Sequence, residues 1–91
     1  MTFALSDFQC SPNGLILGRD EDYCDLVVDC KTVSKQHAAL VLEEDVLCIE
    51  DLSSTNGTLV SGERLEPGFR YYIGSGCYIK LGGAELELTK I

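Results

Sequence analysis

Arg19, Ser34, Lys35, Thr55 and Asn56 carry side chains that could together bind an anion. Arg19 follows Gly18 at the end of an apolar run, Leu15-Ile16-Leu17. Ser34 and Lys35 open Ser34-Lys35-Gln36-His37, and Thr55 and Asn56 lie in Asp51-Leu52-Ser53-Ser54-Thr55-Asn56-Gly57-Thr58. A guanidinium offers a planar fork of N–H donors that matches phosphate oxygens, whereas an ammonium acts as a mobile point charge. Hydroxyls and a carboxamide add further donors. Such a set, rich in donors and poor in acceptors, suits a phosphate.

A second chemistry uses the same region. Ser34, His37 and Asp51 are the residue types of a hydrolase triad. Against it, no Gly-x-Ser-x-Gly elbow is present, and Ser34 and His37 share one short loop. A chain of 91 residues built from short strands also leaves little material for an oxyanion hole and a cleft. Each anion-binding candidate has a plainer reading too. Arg19 could pair with Asp20, Glu21 or Asp22, Lys35 could simply be solvated, and Asn56-Gly57 is a strong hairpin signal without any ligand.

The elements that position these residues read as strands. Apolar residues alternate in Ala84–Thr89, where Leu86 and Leu88 share one face and Glu85 and Glu87 the other. Short runs of strand character recur at 2–7, 15–18, 25–28, 37–42, 46–50, 58–60, 70–73 and 77–81. Turn residues separate them: Pro12-Asn13-Gly14, Glu43-Glu44-Asp45, Asn56-Gly57, Ser61-Gly62, Pro67-Gly68, Gly74-Ser75-Gly76 and Gly82-Gly83. Many short strands with frequent turns predict an antiparallel sandwich or barrel. The polar clusters then fall in inter-strand connections, where a rigid scaffold displays binding residues. No helix of useful length is expected, and no repeat or linker divides residues 1–91, which read as a single domain.

The ordered set Gly18-Arg19, Ser34-Lys35-Gln36-His37, Ser54-Thr55-Asn56-Gly57-Thr58, Val60-Ser61-Gly62 and Leu65 resembles the forkhead-associated (FHA) domain. Asp25-Leu26-Val27-Val28 and the stretch from Gly74 to Leu81 extend the resemblance over nearly the whole chain. It implies an all-β antiparallel sandwich of about eleven short strands with its binding loops at one end. It also implies a non-enzymatic interaction module whose partner is a phosphothreonine-containing protein or peptide. By matching position, Arg19 and Ser34 would hold phosphate oxygens and Lys35 would add a phosphate or peptide contact. Thr55 would touch the phosphate or its neighbour, and Asn56 would grip the peptide backbone. Gly18, His37 and Gly57 would support the loops. Two positions depart from the family pattern: Ser61 stands where asparagine is usual, and Cys77 where an acid often follows the late glycine. Serine also suits a turn, so little loss is expected there. A phosphate-independent interaction or dimerisation surface on the same sandwich is the alternative.

The formal net charge of −8 argues against nucleic acid or an anionic membrane as the main partner. No apolar run approaches the roughly 20 residues of a membrane span, and no secretory signal is visible. The five cysteines form no Cys-x-x-Cys pair, which argues against structural zinc and for free thiols in an intracellular, reducing compartment. Cys48 lies in an apolar run and is expected in the core. No metal or other cofactor is implied. Asp20, Glu21 and Asp22 directly follow Arg19, an unusual neighbourhood for a dianion. They are either screened by solvent or select basic residues in the ligand.

Overall fold

A computed structural model describes residues 2–3, 14–44, 46–73 and 76–90. Among these, ten strands and no helix occur: β1 (Thr2–Phe3), β2 (Leu15–Gly18), β3 (Leu26–Val27), β4 (Ala38–Glu43), β5 (Val46–Asp51), β6 (Thr58–Val60), β7 (Glu63–Arg64), β8 (Arg70–Tyr72), β9 (Cys77–Leu81) and β10 (Ala84–Lys90). They form two five-stranded sheets, ordered β1-β10-β9-β6-β7 and β3-β2-β4-β5-β8. Most of the expected strand from residue 2 to 7, the Pro12-Asn13 turn, Asp45, Gly74-Ser75 and Cys10 lie outside the described residues.

Period-two patterning places the core. Leu17, Ala38, Leu40 and Ile49 face inward from one sheet, and Ile79, Leu81 and Leu88 from the other, as one buried cluster. Registers such as Leu40↔Ile49 and Leu86↔Ile79 keep like faces together. The layers therefore form a sandwich rather than a barrel.

The architecture differs from expectation in three respects. Two edge pairings, β1 with β10 and β2 with β3, are parallel, so the sheets are not purely antiparallel. Alternation reports faces but not strand direction, which explains the difference. A further strand, β7, is made of the charged and exposed Glu63 and Arg64 and is held by its hairpin with β6 rather than by burial. Lastly, Ala39 and Val41 are buried although they alternate with the core-facing Ala38 and Leu40; Cys48, on the same face, is buried as expected. Part of the cover comes from Arg70, which pairs with both Glu43 and Glu50. Those two acids flank Cys48 in the β4–β5–β8 registers. Such exposed pairs add little stability themselves, but their aliphatic stems exclude water.

Candidate functional site

The loop carrying Ser34, Lys35 and Gln36 lies against the exit of β2. Arg19 and Asp20 donate their amides to the Ser34 and Lys35 carbonyls at 3.0 and 3.2 Å, and His37 donates to Leu17 at 2.8 Å. Gly18 makes this approach possible. A Cβ at that position would stand 2.2 Å from the Lys35 carbonyl oxygen and 2.8 Å from the Cys24 sulfur. The Cys24 thiol donates to the same carbonyl at 2.8 Å, and burial raises its pKa above the usual value. Arg19 is exposed, and its Nε–H is fixed on the Val33 carbonyl at 3.0 Å. That bond aims the guanidinium and leaves its terminal amino groups without partners among the described residues.

The second loop is wound around Asp51. This carboxylate is 2% exposed. It accepts the Ser54 amide at 3.1 Å, the Ser54 hydroxyl at 2.5 Å and the Thr58 hydroxyl at 2.6 Å. Burial pushes its pKa up, but these hydrogen bonds and the nearby His37 outweigh burial and hold it below the usual carboxylate value. Ser54 Oγ in turn accepts the Gly57 amide at 3.0 Å. Gly57 has φ +85, a left-handed conformation that favours glycine, and its α-carbon faces the Arg64 guanidinium.

Side chains then join the two loops. Ser34 Oγ accepts the Thr55 amide at 3.0 Å. His37 is fully buried: its Nδ1 accepts the Ser34 amide at 3.0 Å and its Nε2–H donates to the Gly57 carbonyl at 2.8 Å. The imidazole is thus an internal strut between the loops. Asn56 Nδ2 donates to the Thr32 carbonyl at 2.8 Å. The sequence suggests a freely available carboxamide; instead one of its two N–H donors is engaged, and Oδ1 and the second N–H remain without a partner among the described residues.

Ser34, Lys35, Ser53 and Thr55 line a surface depression of about 480 Å³, together with Asp20 and Tyr23. Arg19 and Asn56 are not among its lining residues. They sit on adjoining segments, joined to it through the Arg19–Ser34 backbone bond and through the sequence neighbour Thr55. Lys35 is exposed and makes no ion pair among the described residues. The arrangement presents one guanidinium, one ammonium and two hydroxyls from loops bound to each other, which is chemistry for an anion. It is not a hydrolase relay. Neither ring nitrogen of His37 faces the Ser34 hydroxyl, because both are spent on backbone groups, and Asp51 is spent on Ser54 and Thr58.

Thr32, Tyr23 and Arg64 were not singled out by sequence. Their roles come from contacts across the fold that leave no local pattern. Asp51 did leave one: an acid ending an apolar strand with serine three residues later is a local side-chain-to-backbone turn signature.

The FHA domain profile matches residues 15–82. The chain belongs to the FHA domain family. The protein phosphatase 1 regulatory inhibitor subunit PPP1R8 homolog of Arabidopsis thaliana is 45% identical over 51 residues, covering 55% of this chain and 14% of that protein. The human nuclear inhibitor of protein phosphatase 1 is 41% identical over 54 residues, covering 57% of this chain and 15% of that protein. This FHA chain thus spans only a small part of the length of those relatives. The FHA domain of the CT664 protein from Chlamydia trachomatis superposes with a TM-score of 0.72 at 30% identity, over 78% of this chain and 69% of that one. The N-terminal FHA domain of Rad53p from S. cerevisiae, solved with a phosphothreonine peptide, gives 0.68 at 28% identity, over 75% and 55%.

Proposed function

We propose that this FHA chain is a single phosphothreonine-reading module that binds phosphorylated segments of partner proteins and performs no chemistry on them. The observation that carries this reading is the Ser34–Thr55 bond, which holds the two donor-bearing loops together at the end of the sheet where Arg19 emerges. The phosphothreonine peptide bound by the Rad53p domain supports it.

In this reading the Arg19 amino groups and the Ser34 hydroxyl donate to phosphate oxygens. Lys35 adds charge, and Thr55 touches the phosphate or the adjoining residue. Asn56 Oδ1 accepts a peptide N–H while its Nδ2 stays on Thr32. Gly18, His37 and Gly57 hold the loops in place and touch no ligand. The unpaired thiols of Cys24, Cys30, Cys48 and Cys77 suit a reducing compartment inside the cell.

The test is fluorescence anisotropy with a phosphothreonine peptide library, with unphosphorylated and phosphoserine versions alongside. Phosphothreonine should bind, the unphosphorylated form should not, and Arg19→Ala should abolish binding while the thermal transition persists. One buried methyl is worth about 0.8 kcal/mol, so several-fold preference over phosphoserine is expected. An unchanged binding curve for Arg19→Ala would remove the reading.

A further inference from the structure

We infer that Asp20 and Tyr23 form a cation-receiving subsite beside the phosphate, so that this domain prefers phosphothreonine peptides with lysine or arginine near the phosphorylated residue. The inference rests on the phosphothreonine reading above.

The depression that holds Ser34, Lys35 and Thr55 is walled on one side by Asp20 and Tyr23. Their segment is held, not free. Tyr23 N–H closes a turn on the Asp20 carbonyl at 3.2 Å, and the Asp22 amide donates to Asp20 Oδ1 at 3.0 Å. The turn is docked on the ligand loop by the Asp20 amide to the Lys35 carbonyl at 3.2 Å, and by Gln36 Nε2 to the Tyr23 carbonyl at 3.4 Å. Of the acids that follow Arg19, Glu21 and Asp22 are exposed and do not line the depression; Asp20 does, and it is half-buried. Its carboxylate forms no ion pair among the described residues.

A phosphate bound beside Asp20 creates an electrostatic conflict. A space of this volume is roughly 10 Å across at most, so two groups bound within it lie at about the Debye length of 8 Å or closer, and solvent ions screen them only in part. Lys35 could offset Asp20 in the empty site, but the dianion claims that ammonium. Asp20 is then left facing negative charge. A basic side chain from the peptide resolves the conflict. Tyr23 supplies a second attraction for the same group: it is 67% exposed, and an aromatic face receives a cation. A carboxylate and an aromatic ring on one wall therefore specify a lysine or arginine. An acidic flank would meet both the phosphate and Asp20 and be repelled.

The experiment compares one phosphothreonine sequence with lysine, alanine or glutamate on either side of the phosphorylated residue, by anisotropy at low and high salt. At low salt the basic-flanked peptide should bind about three- to ten-fold tighter than the acid-flanked one, and the gap should narrow as salt rises. Asp20→Asn keeps an acceptor for the Asp22 amide and should bring the ratio close to one. Tyr23→Leu should reduce it, and Asp20→Lys should reverse it. The ratio is read within each variant, so a partial loss of folded protein cancels. Preserved phosphate dependence with no flank preference in the parent overturns this inference alone. So does an Asp20→Asn variant that keeps the parent's ratio. Equal binding of phosphorylated and unphosphorylated peptides, whatever their flanks, overturns the phosphothreonine reading and this inference with it.

Discussion

The Ser34 hydroxyl accepts the Thr55 backbone amide at 3.0 Å, across 21 residues of sequence. The bond uses an oxygen lone pair and leaves the hydroxyl hydrogen free to donate. Ser34 is thereby oriented by one loop, and in the proposed reading it donates its hydrogen to the phosphate. Ser34→Ala removes both functions. A hydrogen bond to a charged group is worth about 1.5–3 kcal/mol, so affinity for a phosphothreonine peptide should fall roughly ten- to a hundred-fold. Thr55 is exposed, so its freed amide can be hydrated and the melting temperature should move little. Calorimetric titration and a thermal melt on the same variant check both halves.

His37 should behave differently. Its ring bonds the Ser34 amide and the Gly57 carbonyl in a fully buried setting. His37→Ala leaves those backbone groups unsatisfied and opens a cavity, at a cost of about 3 kcal/mol. A domain of this size should then lose roughly 10 °C or more in melting temperature. Affinity should fall as well, because the loops separate. A normal melt with lost affinity would mean that His37 contacts the ligand instead.

Much of the loop arrangement is legible in the sequence. Arg19, Ser34, His37 and the stretch from Ser54 to Thr58 stand in a fixed order, and their chemistry suits an anion whatever the fold. Alternation placed Leu86 and Leu88 on one inward face, and Leu88 is buried in the core with Leu86 partly buried against it. What was hidden depends on long-range geometry. The Asn56–Thr32 bond links residues 24 apart, and nothing local tells that a carboxamide is already engaged. The parallel edges were hidden because a period of two is the same in either direction. Cys48 was expected in the core, yet part of its cover comes from an ion pair whose partners, Arg70 and Glu43, are 27 residues apart.

Ser61 is a place where the chain can be improved. It has φ +49 and is followed by Gly62 at φ +86, in the hairpin between β6 and β7. Positive φ at both central residues is the type I′ pattern, for which asparagine is suited and serine less so. The serine that looked harmless in sequence therefore carries some backbone strain. Ser61→Asn should raise stability by about 0.5–1 kcal/mol, or a few degrees in a thermal melt. The turn lies at the far end of β6 from Gly57, so peptide affinity should stay unchanged. A lower melting temperature would show that the Ser61 hydroxyl contact with Cys77 outweighs the turn.

Asp51 gives the domain a defined response to acid. Burial alone would raise its pKa, but the hydrogen bonds from Ser54 and Thr58 and the proximity of His37 prevail and hold it below 3.8. A carboxyl with a depressed folded-state pKa stabilises the fold above the unfolded value of about 3.9 and loses that contribution as pH falls through the folded value. The loop around Asp51 should therefore be insensitive to this group from neutral pH down to about pH 5, then weaken below about pH 4. The chain has 15 acidic residues, so the parent's melt alone cannot isolate one of them. The difference between parent and Asp51→Asn can. The variant lacks the charge at every pH, so its deficit in melting temperature should be largest at neutral pH and shrink as the parent's Asp51 becomes protonated. A deficit that stays constant from neutral pH to about pH 2 would show that Asp51 stabilises the loop through shape, and not through its ionised carboxylate.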